Sequence, residues 1–368
     1  MRPSDLGWLR SLVSPGSQPL LFLPRHQIML RCQGKYPRLQ NMPSLFLRNT
    51  PFMSMLLALV CWSQIIASEV RPPKNDEDLR YWLENMMWHH RYSSTEASAV
   101  TGLSEKEIVE ALVRFGIGAN TRPPHNSSAG PKLLPYPSGR HPRIGFLDGA
   151  VNPQRETKIS VFTPWDDAAY VVVDVPEALW SNLGLTYLAH THIPTVWTKQ
   201  GVALEKLEWE RRQDGSLAMG RKLPNGIGFG ALVNPNKTGI LMDLWLTNGT
   251  RELLTDLRVQ NCVMLKAAPG FNQLTNANKV IQNPYVACRN DAGTKWIITA
   301  WKPCHRPWVN SPVPCLHSDP KFPDCPPGEI RHVSGWLSFY EGPNLDAELK
   351  RLDSLNWDRP DSQNKSSP

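Results

Sequence analysis

From residue 143 onward the chain is a succession of short β-prone runs closed by tight-turn pairs, and nothing constrains its fold more. The runs span 158–162, 170–175, 186–192, 227–233, 240–247, 257–266, 296–301 and 335–340. Asp148-Gly149, Asp214-Gly215, Asn225-Gly226, Asn248-Gly249 and Ala292-Gly293 punctuate them. Asn-Gly and Asp-Gly supply the positive φ angles that a two-residue hairpin turn needs. Many such strands with tight turns predict a mainly β fold, a sandwich or a barrel, and a β-sandwich over 143–343 is the expectation. Asn344 is placed to cap a final helix whose Leu345, Leu349 and Leu352 would pack on a sheet, with the tail to 368 beyond it.

Residues 69–117 read differently. Asn75 is a candidate N-cap for a helix with Leu79, Trp82, Leu83 and Met86 on one face. Ser93 with Glu96, and Ser104 with Glu107, have the spacing of two capping boxes, and Gly102 and Gly116 are natural stops. His89 and His90 fall at the first helix's C-terminal end, where an imidazolium would complement the dipole. The prediction is a small three-helix module, joined to the β body by a Pro-, Gly- and Ser-rich linker at 118–142.

Upstream, Arg48 precedes an apolar run from Phe52 to Val60, with the small residues Ala67 and Ser68 beyond. That is the layout of an export signal over 42–68, with translation starting at Met42 or Met53 and 1–41 a mis-called extension. The apolar run falls short of the roughly 20 residues that span a bilayer. The expectation is an exported chain, periplasmic or extracellular, in which disulfides persist. Charge agrees with this division. Residues 1–68 hold seven of the 40 basic residues and one of the 33 acidic ones, leaving 33 against 32. The net charge of +7 therefore belongs to the presequence and does not point to nucleic acid.

Residues 93–117 resemble a helix-turn-helix. A recognition helix, however, must meet phosphates with Lys and Arg, and this one carries Glu105, Glu107 and Glu110 against Lys106 and Arg114. A structural module, or one that docks a protein partner, is the expectation. Residues 241–265 resemble the corresponding hairpin of the galactose-mutarotase-like supersandwich proteins. That resemblance implies a supersandwich-like fold, in a group many of whose members bind or process sugars. Epimerases of the group place a catalytic His soon after this hairpin. Here Cys262 takes the comparable position, so epimerase activity does not carry over. The whole chain is similar to exported bacterial proteins in which a short helical segment precedes a β domain.

Two clusters carry possible chemistry. His190 and His192 are two apart on a predicted strand and would share a face, a candidate catalytic pair or metal site, with Glu208 as the carboxylate. Gly184 and this pair match the opening of a cupin metal motif, but Val196 and Trp197 stand where cupins require Glu. The alternative for the pair is hydrogen-bonded packing beside Trp197. The second cluster runs from Trp301 to Cys325 and, being Pro-rich, reads as a long ordered loop. Its Cys304, Cys315 and Cys325 fit no standard zinc spacing, so at least one disulfide among them is the expectation. Trp197, Trp301, Arg306, Trp308, His317 and Asp319 form a candidate sugar-binding set, with apolar ring faces for stacking and polar groups for hydroxyls. The function expected is carbohydrate binding or processing. The alternatives are a metal-dependent enzyme using His190 and His192, or a structural envelope protein. No particular cofactor is implied.

Overall fold

The computed structural model describes residues 70–124, 130–141, 145–146, 155–189 and 193–358. Residues 42–68, expected from sequence to be an export signal with its start at Met42 or Met53, lie outside the described residues, as do His190 and His192.

The helices form where their caps stand. Helix α1 (Asp76–Leu83) begins at Asn75, whose side chain accepts a hydrogen bond from the Asp78 amide at 2.9 Å. It runs on as a π-helical turn, Glu84–His89. Helices α2 (Ser94–Thr101) and α3 (Glu105–Phe115) each open with the predicted capping box. Gly102 and Gly116 end them with φ of 77° and 66°, a conformation that costs a residue with Cβ and leaves Gly unstrained. Leu79, Trp82, Leu83, Met86, Val100 and Ile108 are packed together at the centre of the module.

The rest of the molecule is two antiparallel sheets. A seven-stranded sheet contains β1 (Leu133–Pro135), β4 (Lys158–Phe162), β5 (Tyr170–Ser181), β11 (Val259–Met264), β16 (Cys315–Pro320) and β15 (Cys304–Asn310), in that order. In the same sheet β6 (Gly184–Leu188) pairs with the far half of β5. An eight-stranded sheet runs β12 (Lys279–Gln282), β13 (Tyr285–Arg289), β14 (Lys295–Lys302), β17 (Ile330–Glu341), β10 (Ile240–Asn248), β9 (Ile227–Pro235), β8 (Leu217–Lys222) and β7 (Glu210–Arg211). A short ribbon, β2 (Arg140–His141) with β3 (Gly145–Phe146), stands apart from both. The fold is thus mainly β, with α1–α3 at the N-terminal side.

Alternation of side chains along each strand divides the interior into layers. Ile159, Val161, Val171, Val173, Val263 and Leu316 of the seven-stranded sheet meet Phe229, Ala231, Met242, Leu244, Ile297 and Leu337 of the other in one core. Helix α4 (Leu345–Ser354), capped by Asn344 as predicted, lays Leu345, Leu349 and Leu352 on Trp296 and Trp336 across the eight-stranded sheet's other face. The outer face of the seven-stranded sheet carries Phe162, Tyr170, Val172, Cys262, Met264 and Cys315.

The 301–325 segment is not a long loop. It contains the whole of β15 and β16. Pro307 is accommodated because β15 is the sheet's edge, where one row of N–H groups has no ladder to complete. Within the Pro-rich 118–142 stretch, Leu133–Pro135 adds a strand to β4.

The helical module is fixed to the sandwich by polar contacts. Asn85 Nδ2 donates to the Pro135 carbonyl at 3.1 Å, and a ring nitrogen of His90 lies 2.7 Å from Ser160 Oγ. Burial lowers the pKa of His90 to about 3 and that of His89 to about 4. Neither is an imidazolium at neutral pH, so the dipole role expected for them is not the one they play. His90 is instead a neutral core group ringed by Tyr92, Tyr136, Phe162 and Tyr170.

Candidate functional site

Strand register places an unusual row of side chains straight across the outer face of the seven-stranded sheet. Lys158 is paired with Asp174, and Asp174 with Cys262. One position beyond the Val263–Leu316 pair, Cys262 faces His317, and His317 is paired with Trp308. Paired residues in antiparallel strands share a face. An outer sheet face is ordinarily solvated, yet Lys158, Asp174, Cys262 and His317 are all buried. Charges so placed need partners, and Lys158 Nζ donates to Asp174 Oδ1 at 2.6 Å.

The neighbouring row holds two more buried carboxylates, Glu177 and Asp319. Gln260 Nε2 donates to Glu177 Oε2 at 2.8 Å, and Arg306 Nη2 reaches Gln260 Oε1 at 3.5 Å. Arg306 also donates to Asp319 Oδ2 through Nη2 at 2.8 Å, Trp308 Nε1 donates to the same oxygen at 2.7 Å, and the Asn261 amide donates to Oδ1 at 3.1 Å. Burial raises the Asp319 carboxyl above the usual range, against the pull of His317, Arg306 and Trp308. Between Gln260 and Cys262 the register with β5 shifts, which brings Glu177 of the bulged strand to Gln260.

His317 is held on both sides. Its Nδ1 donates to the Asn261 carbonyl at 2.7 Å, which leaves the Nε2 lone pair 3.1 Å from Cys315 Sγ. The Trp308 ring is stacked on the imidazole at 3.8 Å between centroids, 11° from parallel. Burial works to lower the His317 pKa, but the bond to Cys315 and the fields of Cys315, Glu177 and Asp319 outweigh it, and the net shift is upward. The Cys262 thiol is pushed well above the usual range, first by its bond to Cys315 and then by burial.

Of the residues singled out from sequence, Arg306, Trp308, His317 and Asp319 come together here. Trp301 and Trp197 do not. Trp301 is 1% exposed in the core between the sheets, packed over Gly335, and Trp197 is buried in the same core with its Nε1 donating to the Thr186 carbonyl. Neither ring can stack on a ligand: alternation along β14 turns Trp301 inward, and Trp197 enters the core from the turn before the short 3-10 helix Thr198–Gln200. Glu208 lies in a separate ion network, with Oε1 2.8 Å from Arg71 and 2.7 Å from Arg155. A depression of about 490 Å³ beside that network is lined by Leu204, Glu205, Leu207, Arg221 and Leu223. Arg221 is already held there by Glu156 and the Glu205 carbonyl, and we place no chemistry in it.

The disulfide expected among Cys304, Cys315 and Cys325 is not formed: none of the five described cysteines is in a disulfide. Cys304 is paired with Pro320 and Cys315 with Asn310, so the two stand at opposite ends of one ribbon, roughly 20 Å apart at about 3.3 Å per residue. Cys325 lies beyond the strand, bridged to Leu254. The residues missed from sequence are Lys158, Asp174, Glu177 and Cys262. The available signal was the charged pair within the apolar run of β5, Tyr-Val-Val-Val-Asp174-Val-Pro-Glu177.

No family model and no curated protein matches the chain. Among solved structures, a protein assigned as a kojibiose phosphorylase, from the human microbiome, aligns with a TM-score of 0.26 and 5% identity, over 39% of this chain and 20% of its own. A heparinase III aligns with a TM-score of 0.29 and 7% identity, over 66% of this chain and 42% of its own. The chain spans less than half the length of either. Likenesses of this size bear on neither family nor chemistry.

Proposed function

We propose that the protein binds or processes carbohydrate on the outer face of its seven-stranded sheet. The observation that supports this reading is the linkage of two buried carboxylates, Glu177 and Asp319, through Gln260 and Arg306 on one sheet face. Two carboxyl groups in different environments are what glycosidic-bond cleavage requires, one to donate a proton and one to stabilise charge or act as base. Asp319, which accepts hydrogen bonds from Arg306, Trp308 and the Asn261 backbone amide, is the candidate base or charge-stabilising carboxylate. Arg306 and Trp308 supply the polar and aromatic rim. Incubation with a panel of neutral, acidic and basic oligosaccharides, scored by mass spectrometry and by tryptophan fluorescence titration, tests the reading. Asp319→Asn and Glu177→Gln are expected to abolish turnover, and Trp308→Ala to weaken binding. Absence of both binding and product across the panel would overturn it.

Export belongs to the same reading and rests on the segment 48–68. N-terminal sequencing of the protein from its native host is expected to find a chain beginning near Glu69. A chain that retains residues 1–41 would contradict it.

A further inference from the structure

We propose that Cys262, Cys315 and His317 form a binding site for one divalent cation of the zinc class, held by two thiolates and one imidazole. The three ligand atoms lie within 4.8 Å of one another, and all three residues are buried. Cys315 and His317 are two apart on β16 and so share a face, while Cys262 sits opposite His317 on β11. Paired central strands hold such a set more rigidly than a loop would.

The histidine is prepared for this role. Its Nδ1 hydrogen is committed to the Asn261 carbonyl at 2.7 Å, which fixes the tautomer and leaves Nε2 as the lone pair on the sulfur side. A backbone carbonyl on the far nitrogen is the usual outer partner of a metal-bound histidine. Two sulfurs and one nitrogen select soft or borderline ions over magnesium or calcium. Two cysteines and a histidine are also a known zinc set that leaves a fourth position to a non-protein ligand. Glu177 and Asp174 add negative potential around Cys262, which favours a cation and disfavours bare thiolates. Binding would displace one proton from each thiol and leave the imidazole neutral, so two protons are released per ion and uptake strengthens as pH rises.

A disulfide between Cys262 and Cys315 is the competing use of the two sulfurs. Because Cys262 faces His317, Cys315 is its diagonal neighbour. Diagonal cross-strand positions lie about 7–8 Å apart, outside the roughly 4.4–6.8 Å between Cα atoms that a disulfide takes.

The test uses the full chain, reduced, stripped with a chelator and titrated with Co²⁺. Thiolate-to-cobalt charge-transfer absorption is expected to saturate at one equivalent and to be displaced by Zn²⁺. Cys262→Ser and Cys315→Ser should each abolish that absorption, His317→Ala should weaken uptake at least about tenfold, and Cys288→Ser should leave it unchanged. If the serine variants do not fold, X-ray absorption of the zinc-loaded wild type reads the shell directly, with two sulfurs and one imidazole nitrogen expected. Absence of the charge-transfer band in folded, reduced protein would overturn the proposal. So would its persistence in Cys262→Ser, a shell of oxygen and nitrogen only, or a mapped Cys262–Cys315 disulfide in native protein. Metal uptake is scored without any glycan, so this site stands or falls separately from the carbohydrate reading.

Discussion

His90 is a titratable group in a place where it cannot titrate normally. Its ring lies 4.7 Å from the Tyr170 ring and 5.1 Å from that of Phe162, with the Arg140 guanidinium and the His89 imidazole as its ionisable neighbours. In the unfolded chain a histidine titrates near 6.5, whereas burial holds His90 at about 3 in the native state. Between those values the unfolded chain binds the extra proton, so stability is full above about 6.5 and is lost as pH falls toward 3. His89, lowered to about 4, acts in the same direction with part of its ring exposed. We expect urea unfolding of the wild type to show a midpoint that falls steeply between pH 6.5 and 4, and His90→Gln to show a shallower fall. Equal slopes for the two proteins would contradict the assignment. Asn75, Ser93, Ser104 and Asn344 cap the helices they were expected to cap, because capping depends on neighbours three residues away. The Cys262–His317 contact joins residues 55 positions apart in the chain, and no local rule reaches it.

Among the elements, the ribbon of β15 and β16 differs most from expectation. Its prolines suggested a loop, but the rule that excludes proline from strands applies to central strands, and β15 is an edge. Once it is a strand, alternation separates its residues. Cys315, His317 and Asp319 on β16 lie on the chemical face, and the i, i+2 argument made for His190 and His192 would have grouped them. Trp301 belongs to β14 and turns the other way, into the core. Its partner there is Gly335 on β17, paired with it in register. A Cβ at Gly335 would stand 2.5 Å from the indole, far inside van der Waals contact, and an indole locked between two sheets has little room to yield. Gly335→Ala is therefore expected to destabilise the protein by roughly 1–3 kcal/mol, the usual range for overpacking a filled core. Denaturant midpoints measure this, and an unchanged midpoint would mean that the Trp301 ring has space to move.

For the described molecule as a whole, the question is whether the helical module and the sandwich fold together. Their junction combines burial with charge. Arg71 sits 3.3 Å from Glu156 and 2.8 Å from Glu208, joining the start of the module to the strand entry at 155–158. Arg140, from the β2 ribbon, donates to both Glu96 oxygens, at 2.5 and 2.9 Å, and to the His90 and Arg91 carbonyls at 2.9 and 3.0 Å. Its guanidinium also covers the Tyr92 ring at 4.1 Å. A planar fork that satisfies four acceptors at once is a role lysine cannot fill. With this junction intact, separating the module would strand partly buried charges and the His90–Ser160 bond, so the two parts should unfold in one cooperative step. Native-state hydrogen exchange followed by mass spectrometry is expected to give the same opening free energy for peptides in α1–α3 and in β4–β5. Arg140→Ala leaves Glu96 with only its capping bonds, at a cost of about 2–3 kcal/mol after allowance for partial exposure. In that variant the helices should open first while β4–β5 keep their protection, and Arg140→Lys should lie between the two. Helical peptides that already exchange early in the wild type would show that the module is only tethered to the sandwich, and the junction would lose its structural role.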